Sequence, residues 1–473
     1  MSEYHLLIDG QKVAAGETFP VLNPATEKVI AECPKASVED LNNAVSAARR
    51  AFPSWSATAD SERSRLIHAV ADAIEANSAE LAQLLTLEQG KPLGGWQGLG
   101  SGFELGGVGV WCHYTADLEL PVHVVDDNDE ERVEVHRKPL GVVGSITPWN
   151  FPLMIAIWHI IPAIRSGNTV VLKPSEYTPL ATLRAAEIIN EVLPPGVLNV
   201  VTGDGGLGAA MTNHPDINKI VFTGSTPTGK KIMASAAGNL KRVTLELGGN
   251  DAAIVMPDVN VAEVAPKIFT TAMINNGQTC AALKRLYVHE DIYEELCQAL
   301  AGLAKSVTTG DGTGEVDFGP VQNKAQYEIV CSMAREAKES GARILSGGEP
   351  TEGPGYFFPV TIVADIADDA RLVQEEPFGP ILPVLKFTDV EDALQRANDN
   401  ANGLGGSVWS SDIEYATKLA QRLECGTAWV NNHAMLRPDA PFGGVKDSGI
   451  GVEFGLYGLE EYTSIQTLQI SKT

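Results

Sequence analysis

Residues 219–250 have the sequence KIVFTGSTPTGKKIMASAAGNLKRVTLELGGN, which contains one complete strand–helix–strand unit. Two short apolar runs rich in β-branched residues, Lys219–Phe222 and Val243–Leu245, are typical of buried strands. Between them, Thr226 is predicted to cap a helix, and Pro227 to occupy its first position, where the missing N–H of proline costs nothing. Strands that alternate with helices in this way predict a parallel sheet covered by helices on both faces.

The same alternation continues on both sides of this stretch. Strand-like runs precede it at Val142–Ile146, Thr169–Leu172 and Val197–Val201. A second series follows it at Ala252–Val255, Arg285–Val288, Leu382–Phe387, Ser407–Trp409 and Thr427–Val430. Because 473 residues exceed what one compact core accommodates, we predict an α/β protein with two domains and a cleft between them.

The N-terminal third is predicted to be mainly helical. Ser37 and Asp40 form a capping box ahead of a helix over Val38–Phe52, and a longer helix is predicted from about Ser61 to Leu87. Residues 94–109 contain eight glycines within an otherwise helical apolar pattern. Each glycine costs a helix about 1 kcal/mol relative to alanine, so this composition has no explanation from the sequence alone.

A projecting hairpin is predicted next. Glu119–Val125 and Arg132–Arg137 alternate apolar and polar residues around the acidic turn Asp126–Glu131. The C-terminal run from Tyr462 to Ile470 has the same character and is predicted to join that sheet. Since exposed strands invite pairing, we expect this sheet to join subunits into a homodimer or homotetramer.

Composition excludes several classes of partner. The chain has 35 Lys+Arg against 60 Asp+Glu, a net charge of −25, which would be repelled by nucleic acid and by anionic membrane surfaces. The N-terminus lacks a secretory pattern, and no run of about twenty apolar residues occurs. The six cysteines are scattered singly, without zinc-ligand spacing, so we expect reduced thiols in the cytoplasm and no metal site.

Two stretches are candidates for nucleotide binding. Lys173-Pro174-Ser175-Glu176 follows a strand, and in an open parallel sheet ligands bind at the carboxyl ends of the strands. A plain surface turn remains the alternative for these four residues. Residues 223–231 nearly match the phosphate loop of nucleotide triphosphatases, but Lys231 replaces the hydroxyl that would hold magnesium. The glycine fingerprint of dinucleotide-binding proteins is also missing from its usual place after the first strand.

The most specific pattern is a set of motifs spread along the chain. They are Pro148-Trp149-Asn150-Phe151-Pro152, Leu245-Glu246-Leu247-Gly248-Gly249-Asn250, Asn275-Asn276-Gly277-Gln278-Thr279-Cys280, Glu375-Glu376-Pro377-Phe378-Gly379-Pro380 and Pro441-Phe442-Gly443-Gly444-Val445-Lys446. Taken singly, Glu246 could cap a glycine turn and Cys280 could fill core space. In this order and spacing, the motifs resemble the NAD(P)-dependent aldehyde dehydrogenase superfamily, from Ile8-Asp9-Gly10 to Ser448-Gly449-Ile450-Gly451.

The resemblance implies a catalytic set and a domain plan. Cys280 matches the family's nucleophile, Glu246 its general base, and Asn150 the side-chain amide of its oxyanion hole. The implied plan is a Rossmann-like NAD-binding domain over 1–118 and 138–247, and a catalytic α/β domain over 248–446. The oligomerisation element would comprise 119–137 and 447–473.

The resemblance also implies a cofactor site. Its residues map to Ile146, Thr147, Pro148, Trp149, Lys173, Ser175, Glu176, Gly208, Phe222, Gly224, Ser225, Leu247, Glu376 and Phe378. A carboxylate at Glu176 would accept hydrogen bonds from both ribose hydroxyls and repel a 2′-phosphate. We therefore expect NAD, with NADP possible because Lys173 could tolerate the phosphate.

The implied substrate is a small-molecule aldehyde bound in an apolar pocket. The family's pocket positions map to Ile155, Trp158, Met273, Ile274, Ala281, Ala434 and Leu436. Relatives that bind acidic semialdehydes often carry arginine at the position of Ile274, so an uncharged aliphatic or aromatic aldehyde is expected. His159 and Val452 depart from the family, where lysine and arginine are common.

Two further interpretations remain open. A relative that transfers the acyl group to coenzyme A would generally lack the base, so Glu246 favours hydrolysis to the free acid. A non-catalytic relative is the other alternative, and the presence of Cys280, Glu246 and Asn150 together disfavours it.

Overall fold

The structure is a computed structural model that describes residues 4–473. Its strands are β1 (Leu6–Ile8), β2 (Gln11–Val13), β3 (Glu17–Leu22), β4 (Val29–Lys35), β5 (His123–Asp127), β6 (Glu131–Pro139), β7 (Val142–Ile146), β8 (Thr169–Lys173), β9 (Leu198–Val200), β10 (Lys219–Thr223), β11 (Arg242–Glu246), β12 (Asp251–Val255), β13 (Leu283–His289), β14 (Arg343–Ser346), β15 (Thr361–Ala364), β16 (Ile381–Phe387), β17 (Asn402–Gly403), β18 (Gly405–Trp409), β19 (Thr427–Val430), β20 (Val445–Lys446), β21 (Gly449–Ile450) and β22 (Thr463–Ser471).

The helices connect and cover these strands. They are α1 (Val38–Ser56), α2 (Asp60–Ala76), α3 (Ser78–Gln89), α4 (Ser101–Asp117), α5 (Pro152–Arg165), α6 (Leu180–Val192), α7 (Gly205–Asn213), α8 (Thr226–Ala236), α9 (Val261–Met273), α10 (Glu290–Ser306), α11 (Lys324–Glu339), α12 (Arg371–Gln374), α13 (Val390–Asn398), α14 (Ile413–Ala420) and α15 (Gly455–Glu460). Within residues 4–473, no helix combines the length and the apolar character needed to cross a membrane.

Two large sheets confirm the predicted α/β class. The first has the order β2-β1-β9-β8-β7-β10-β11-β21, with β7 to β11 parallel to one another. The second has the order β14-β15-β16-β13-β12-β18-β19, and all of its strands except β14 run parallel. Each sheet buries apolar side chains on both faces, which is why its strands are nearly continuous apolar runs.

The hairpin and the C-terminus form a third sheet. Its antiparallel order is β22-β6-β5, so the prediction that the C-terminal run joins the hairpin is confirmed. The rest of the 447–473 segment lies elsewhere, because β21 pairs with β11 in the first sheet and α15 packs against α5. The third sheet exposes apolar side chains, including Ile465, Leu468 and Ile470.

The helix predictions hold with two corrections. The capping box of Ser37 and Asp40 is present at the start of α1. The helix predicted over Ser61–Leu87 is two helices, because Asn77 leaves helical geometry while its amide donates to the carbonyl of Ala73. Helix α8 begins one residue earlier than predicted, with Ser225 instead of Thr226 at its N-cap.

The glycine-rich segment allows close contacts between helices. A Cβ on Gly107, in α4, would lie 2.6 Å from the sulfur of Met154 in α5. A Cβ on Gly109 would lie 2.1 Å from Oε1 of Glu75 in α2. These glycines therefore lower the helix propensity of α4 but let it pack closely against both α2 and α5. The sequence alone could not explain them, because their contacts are with residues on other helices.

Candidate active site

The candidate site begins where the strand order of the first sheet reverses. The chain proceeds from β7 through β8 to β9 on one side and then returns to place β10 on the other side of β7. In open α/β sheets, ligands bind in the crevice outside the carboxyl ends of the strands at such a switch point. Ile146 ends β7 there, Thr147, Pro148 and Trp149 follow it, and Phe222 lies at the end of β10.

The predicted ribose-binding residues lie together at the end of β8. Lys173 is buried, and its Nζ lies 3.7 Å from the carboxylate of Glu176. Burial lowers the pKa of Lys173, and the Glu176 charge opposes that shift. A Cβ on Gly208 would lie 3.8 Å from the Lys173 side chain and 3.9 Å from Ile146, so Gly208 leaves open space beside both. Ser175 accepts a hydrogen bond from the amide of Tyr177.

The start of α8 lies at the end of β10. Gly224 and Ser225 connect the two elements, and the Ser225 hydroxyl donates to Thr228 at 3.0 Å. Leu247 lies against this helix, because a Cβ on Gly229 would come within 2.5 Å of Leu247. The first turn of an α-helix carries free backbone N–H groups and a partial positive charge, so it can accept a phosphate group.

Cys280 follows a left-handed turn that opens onto the same cleft. Asn275, Asn276 and Gly277 have φ values of 52°, 58° and 73°, and a Cβ on Gly277 would collide with the carbonyl of Gly379 at 2.1 Å. The thiol is partly buried within an apolar cluster. Burial raises the pKa of Cys280 to about 12, and the charge of Lys284 opposes the shift. No helix starts at Cys280, so Lys284 is the group that favours the thiolate.

Asn150 is held in place by a buried ion pair. Its side-chain amide donates to the carbonyl of Gln278 at 3.0 Å, two residues before Cys280. The backbone carbonyl of Asn150 accepts a hydrogen bond from the Lys91 ammonium at 2.8 Å. Lys91 in turn pairs with the fully buried carboxylate of Glu104. Glu104 also accepts from the amides of Leu153 and Met154 at the start of α5. These bonds fix the Asn150 backbone between α4 and α5.

Glu246 ends β11 and presents an unpartnered carboxylate. The residue is 4% exposed, and neither of its carboxylate oxygens has a hydrogen-bond partner within residues 4–473. Burial raises the pKa of Glu246 well above its usual range, and the neighbouring charge of Glu453 raises it further. A buried carboxyl group with a raised pKa is the form that suits general base catalysis near neutral pH. The charge of Glu246 also acts on Cys280, where it raises the pKa of the thiol.

The neighbour Glu453 belongs to a buried polar group behind Glu246. His159, fully buried, has Nδ1 2.9 Å from the hydroxyl of Ser145 and Nε2 2.9 Å from that of Thr223. The same Nε2 lies 3.1 Å from the carboxylate of Glu453. The position at which many relatives have lysine is therefore occupied by a histidine that contacts this second carboxylate.

Glu376 and Phe378 face the cleft from the second sheet. The Glu376 carboxylate pairs with Lys284 at 2.8 Å and accepts from the amide of Gly249 at 3.3 Å. Phe378 contacts Trp149 edge to face, with ring centroids 5.2 Å apart. A Cβ on Gly248 would lie 2.5 Å from Glu376, so the glycine allows this carboxylate to approach the chain after β11.

Comparison with known proteins gives the family. The family model described as the aldehyde dehydrogenase family matches residues 12–468. The chain belongs to the aldehyde dehydrogenase family. It is 41% identical to phenylacetaldehyde dehydrogenase of Pseudomonas fluorescens, over 99% of this chain and 96% of that protein. It is 39% identical to the chloroplastic betaine aldehyde dehydrogenase of Beta vulgaris, over 98% of this chain and 95% of that protein.

A solved structure agrees with this assignment. An aldehyde dehydrogenase from Bacillus cereus, in its complex with NAD+, superposes with a TM-score of 0.96 at 40% identity. The match covers 99% of this chain and 97% of that one. The predicted family and fold class are confirmed.

The apolar cluster that Cys280 contacts contains more aromatic rings than the sequence predicted. The predicted residues Ile155, Trp158, Ile274, Ala281 and Leu436 belong to or pack against the apolar cluster that also contacts Cys280. Met273 is also buried but belongs to the core of the second sheet, and Ala434 is partly buried in the loop after β19.

Three aromatic residues were missed. Trp111, in α4, contacts Trp158 with ring centroids 5.5 Å apart, and Phe454 contacts Trp158 at 4.7 Å. Phe442 stacks on Phe454 at 5.9 Å. Phe442 was quoted within a motif without a role, whereas Trp111 and Phe454 carry no local signal, because their contacts join parts of the chain far apart in sequence.

Proposed function

We propose that this aldehyde dehydrogenase oxidises an uncharged aliphatic or aromatic aldehyde to its carboxylic acid with NAD as acceptor. The observation that carries the proposal is the buried, unpartnered carboxylate of Glu246, whose charge acts on Cys280, together with the apolar cluster against which Cys280 packs. The family membership supports aldehyde oxidation, and the carboxyl base supports hydrolysis as the step that releases the product.

The residues present fit a bound NAD. Lys173 and Glu176 stand at the end of β8 beside the space left by Gly208, where a ribose would bind. The N-terminus of α8 would hold the pyrophosphate, and Glu376, Phe378 and Trp149 would surround the nicotinamide end. Bound NAD supplies the hydride acceptor. Glu176 favours NAD over NADP, because its carboxylate would repel a 2′-phosphate.

The first chemical step belongs to Cys280. The Cys280 thiol loses its proton to solvent water, the thiolate sulfur adds to the aldehyde carbon, and the carbonyl electron pair moves to the oxygen, which becomes an oxyanion. The amide of Asn150 is proposed to stabilise that oxyanion, and the Lys91–Glu104 pair keeps its backbone in place. Loss of hydride from the tetrahedral carbon then leaves an acyl thioester on Cys280.

Glu246 is proposed to release the product. Its carboxylate takes a proton from water, the resulting hydroxide attacks the thioester carbon, and the carbon–sulfur bond breaks to leave the acid and the Cys280 thiolate. The raised pKa of Glu246 makes it a stronger base than an exposed carboxylate once it is deprotonated. Transfer to coenzyme A is the alternative fate of the thioester.

An aldehyde panel tests this proposal. NADH formation is measured with neutral aliphatic, neutral aromatic and anionic semialdehyde substrates, each with NAD, with NADP, and with NAD plus coenzyme A. We expect the highest kcat/KM with a neutral aldehyde and NAD, and free acid as product. A preference for an anionic semialdehyde, or formation of acyl-coenzyme A, would contradict the proposed substrate or the proposed hydrolysis respectively.

The effect of the Glu453 charge on the pKa of Glu246 predicts a shift in pH dependence. Glu453→Gln removes the charge that adds to the raised pKa of Glu246, so that pKa should fall while burial still keeps it above its usual value. The base form is then present at lower pH. We expect the acid limb of the pH profile of kcat to move to lower pH, provided that hydrolysis limits turnover. The matched control is Glu460→Gln, whose carboxylate pairs with Arg137 instead, and the same shift in this control would contradict the assignment.

The predicted domain roles and assembly remain proposals. The first sheet carries the proposed cofactor site, the second sheet leads into the Cys280 segment, and the third sheet exposes Ile465, Leu468 and Ile470. A second copy of the chain is the occupant we propose for that apolar sheet, giving a homodimer or homotetramer. The cytoplasmic location stays a prediction.

A further inference from the structure

Two histidines and three carboxylates meet on the surface where α2 and α4 pack together. His68, Asp72 and Glu75 lie on α2, and His113 and Asp117 lie on α4. The spacing of the α2 residues, four and then three positions, places all three on one helix face. This cluster, called here the α2–α4 cluster, lies outside the proposed aldehyde site, and none of its five residues was singled out in the sequence.

Hydrogen bonds within the cluster determine which nitrogen of His113 carries a proton. His68 Nε2 lies 2.9 Å from Asp117, and because an ionised carboxylate only accepts, this nitrogen donates. In a neutral His68, Nδ1 is then an acceptor, and it lies 2.8 Å from Nδ1 of His113. His113 therefore donates from Nδ1, and in its neutral form its Nε2 carries a free lone pair.

That lone pair faces two carboxylates across a gap. His113 Nε2 lies 3.6 Å from Oε1 of Glu75 and 3.8 Å from Oδ1 of Asp72. Both distances are too long for hydrogen bonds, which would bring a protonated His113 to within about 3 Å of one oxygen. Ligand atoms that surround a tetrahedral zinc ion at 2.0–2.1 Å lie about 3.3 Å apart, close to the observed spacing.

The glycine-rich helix makes room for this arrangement. A Cβ on Gly109, one turn before His113, would lie 2.1 Å from Oε1 of Glu75. A side chain at this position would therefore force the Glu75 carboxylate to move from its observed place. Gly109 lowers the helix propensity of α4. The space that a side chain would fill there is occupied by Oε1 of Glu75, the carboxylate oxygen that faces His113 Nε2.

We propose that the α2–α4 cluster binds a divalent transition-metal ion of the zinc type. His113 Nε2, Asp72 and Glu75 would supply three ligands, and water would complete the coordination, since both carboxylates are exposed and His113 is partly exposed. His68 and Asp117 would orient His113 by the hydrogen bonds described above, an arrangement common around metal-bound histidine. The ion would connect α2 to α4, the helix that also carries Glu104 and Trp111.

Zinc titration by calorimetry tests the proposal. The full-length Cys280→Ser protein is titrated with Zn²⁺ alone, so that the reactive thiol does not compete for the metal. We expect one site that disappears in His113→Gln and weakens at least about 10-fold in Gly109→Ala, which retains every ligand but displaces Glu75. Circular dichroism confirms that each variant is folded.

A matched control separates this site from adventitious binding. His289 lies 3.5 Å from a single carboxylate, Asp291, so His289→Gln should retain the zinc site. Equal zinc binding by the parent protein and His113→Gln would overturn the proposal. So would loss of the site in His289→Gln, absence of binding in the parent, or binding of Mg²⁺ in preference to Zn²⁺, since magnesium favours all-oxygen ligands.

Discussion

Cys280→Ala is expected to lower kcat/KM for aldehyde oxidation by at least about 10⁴-fold, because the proposed thioester forms on a sulfur atom that alanine lacks. The surrounding backbone should be unaffected, since the turn at Asn275–Gly277 and the bonds of Gln278 fix this segment without the thiol. NADH absorbance with the best substrate of the aldehyde panel measures the loss.

The matched control for this variant is Cys331→Ala. Cys331 is another partly buried thiol, but it lies in α11 and packs against the core of the second sheet. Its replacement should leave kcat/KM nearly unchanged. Activity of Cys280→Ala comparable with that of Cys331→Ala would remove Cys280 as the nucleophile.

Glu246→Gln has the second-largest expected effect and a different signature. It should lower steady-state kcat by about 10²–10⁴-fold, because glutamine cannot take a proton from water. Thioester formation should survive, so rapid mixing should show a burst of about one NADH per active site before turnover stalls. A variant with neither burst nor turnover would show instead that Glu246 is needed before the thioester forms.

Sequence and structure agree best where a signal is local. The strands predicted at 142–146, 169–172 and 219–222 match β7, β8 and β10 to within one residue, because a parallel strand buried on both faces is a short continuous apolar run. The antiparallel pair β3 and β4 was not predicted, although it lies in the first thirty-five residues. Its sequence contains Pro20 and Pro34, which disguise a strand pattern.

The residues of the candidate site also differ in whether a local sequence signal reveals them. Cys280, Glu246 and Asn150 each lie in a compact sequence motif, and the structure joins Asn150 to the Cys280 segment through its hydrogen bond to the carbonyl of Gln278. Glu453 and Trp111 were missed because their roles depend on contacts across the fold, with Glu246 and Trp158 respectively. Gly109 shows the same limit, since only the position of Glu75 on a neighbouring helix explains why a side chain is absent there.

The proposed mechanism depends on a covalent thioester on Cys280 that Glu246 hydrolyses. Intact-protein mass spectrometry of Glu246→Gln, quenched in acid after mixing with NAD and an aromatic aldehyde, would detect this intermediate. We expect a mass increase equal to one acyl group, mapped to the peptide that contains Cys280 and absent from the double variant with Cys280→Ala. NADH release without any acyl adduct, or an adduct on another residue, would contradict it.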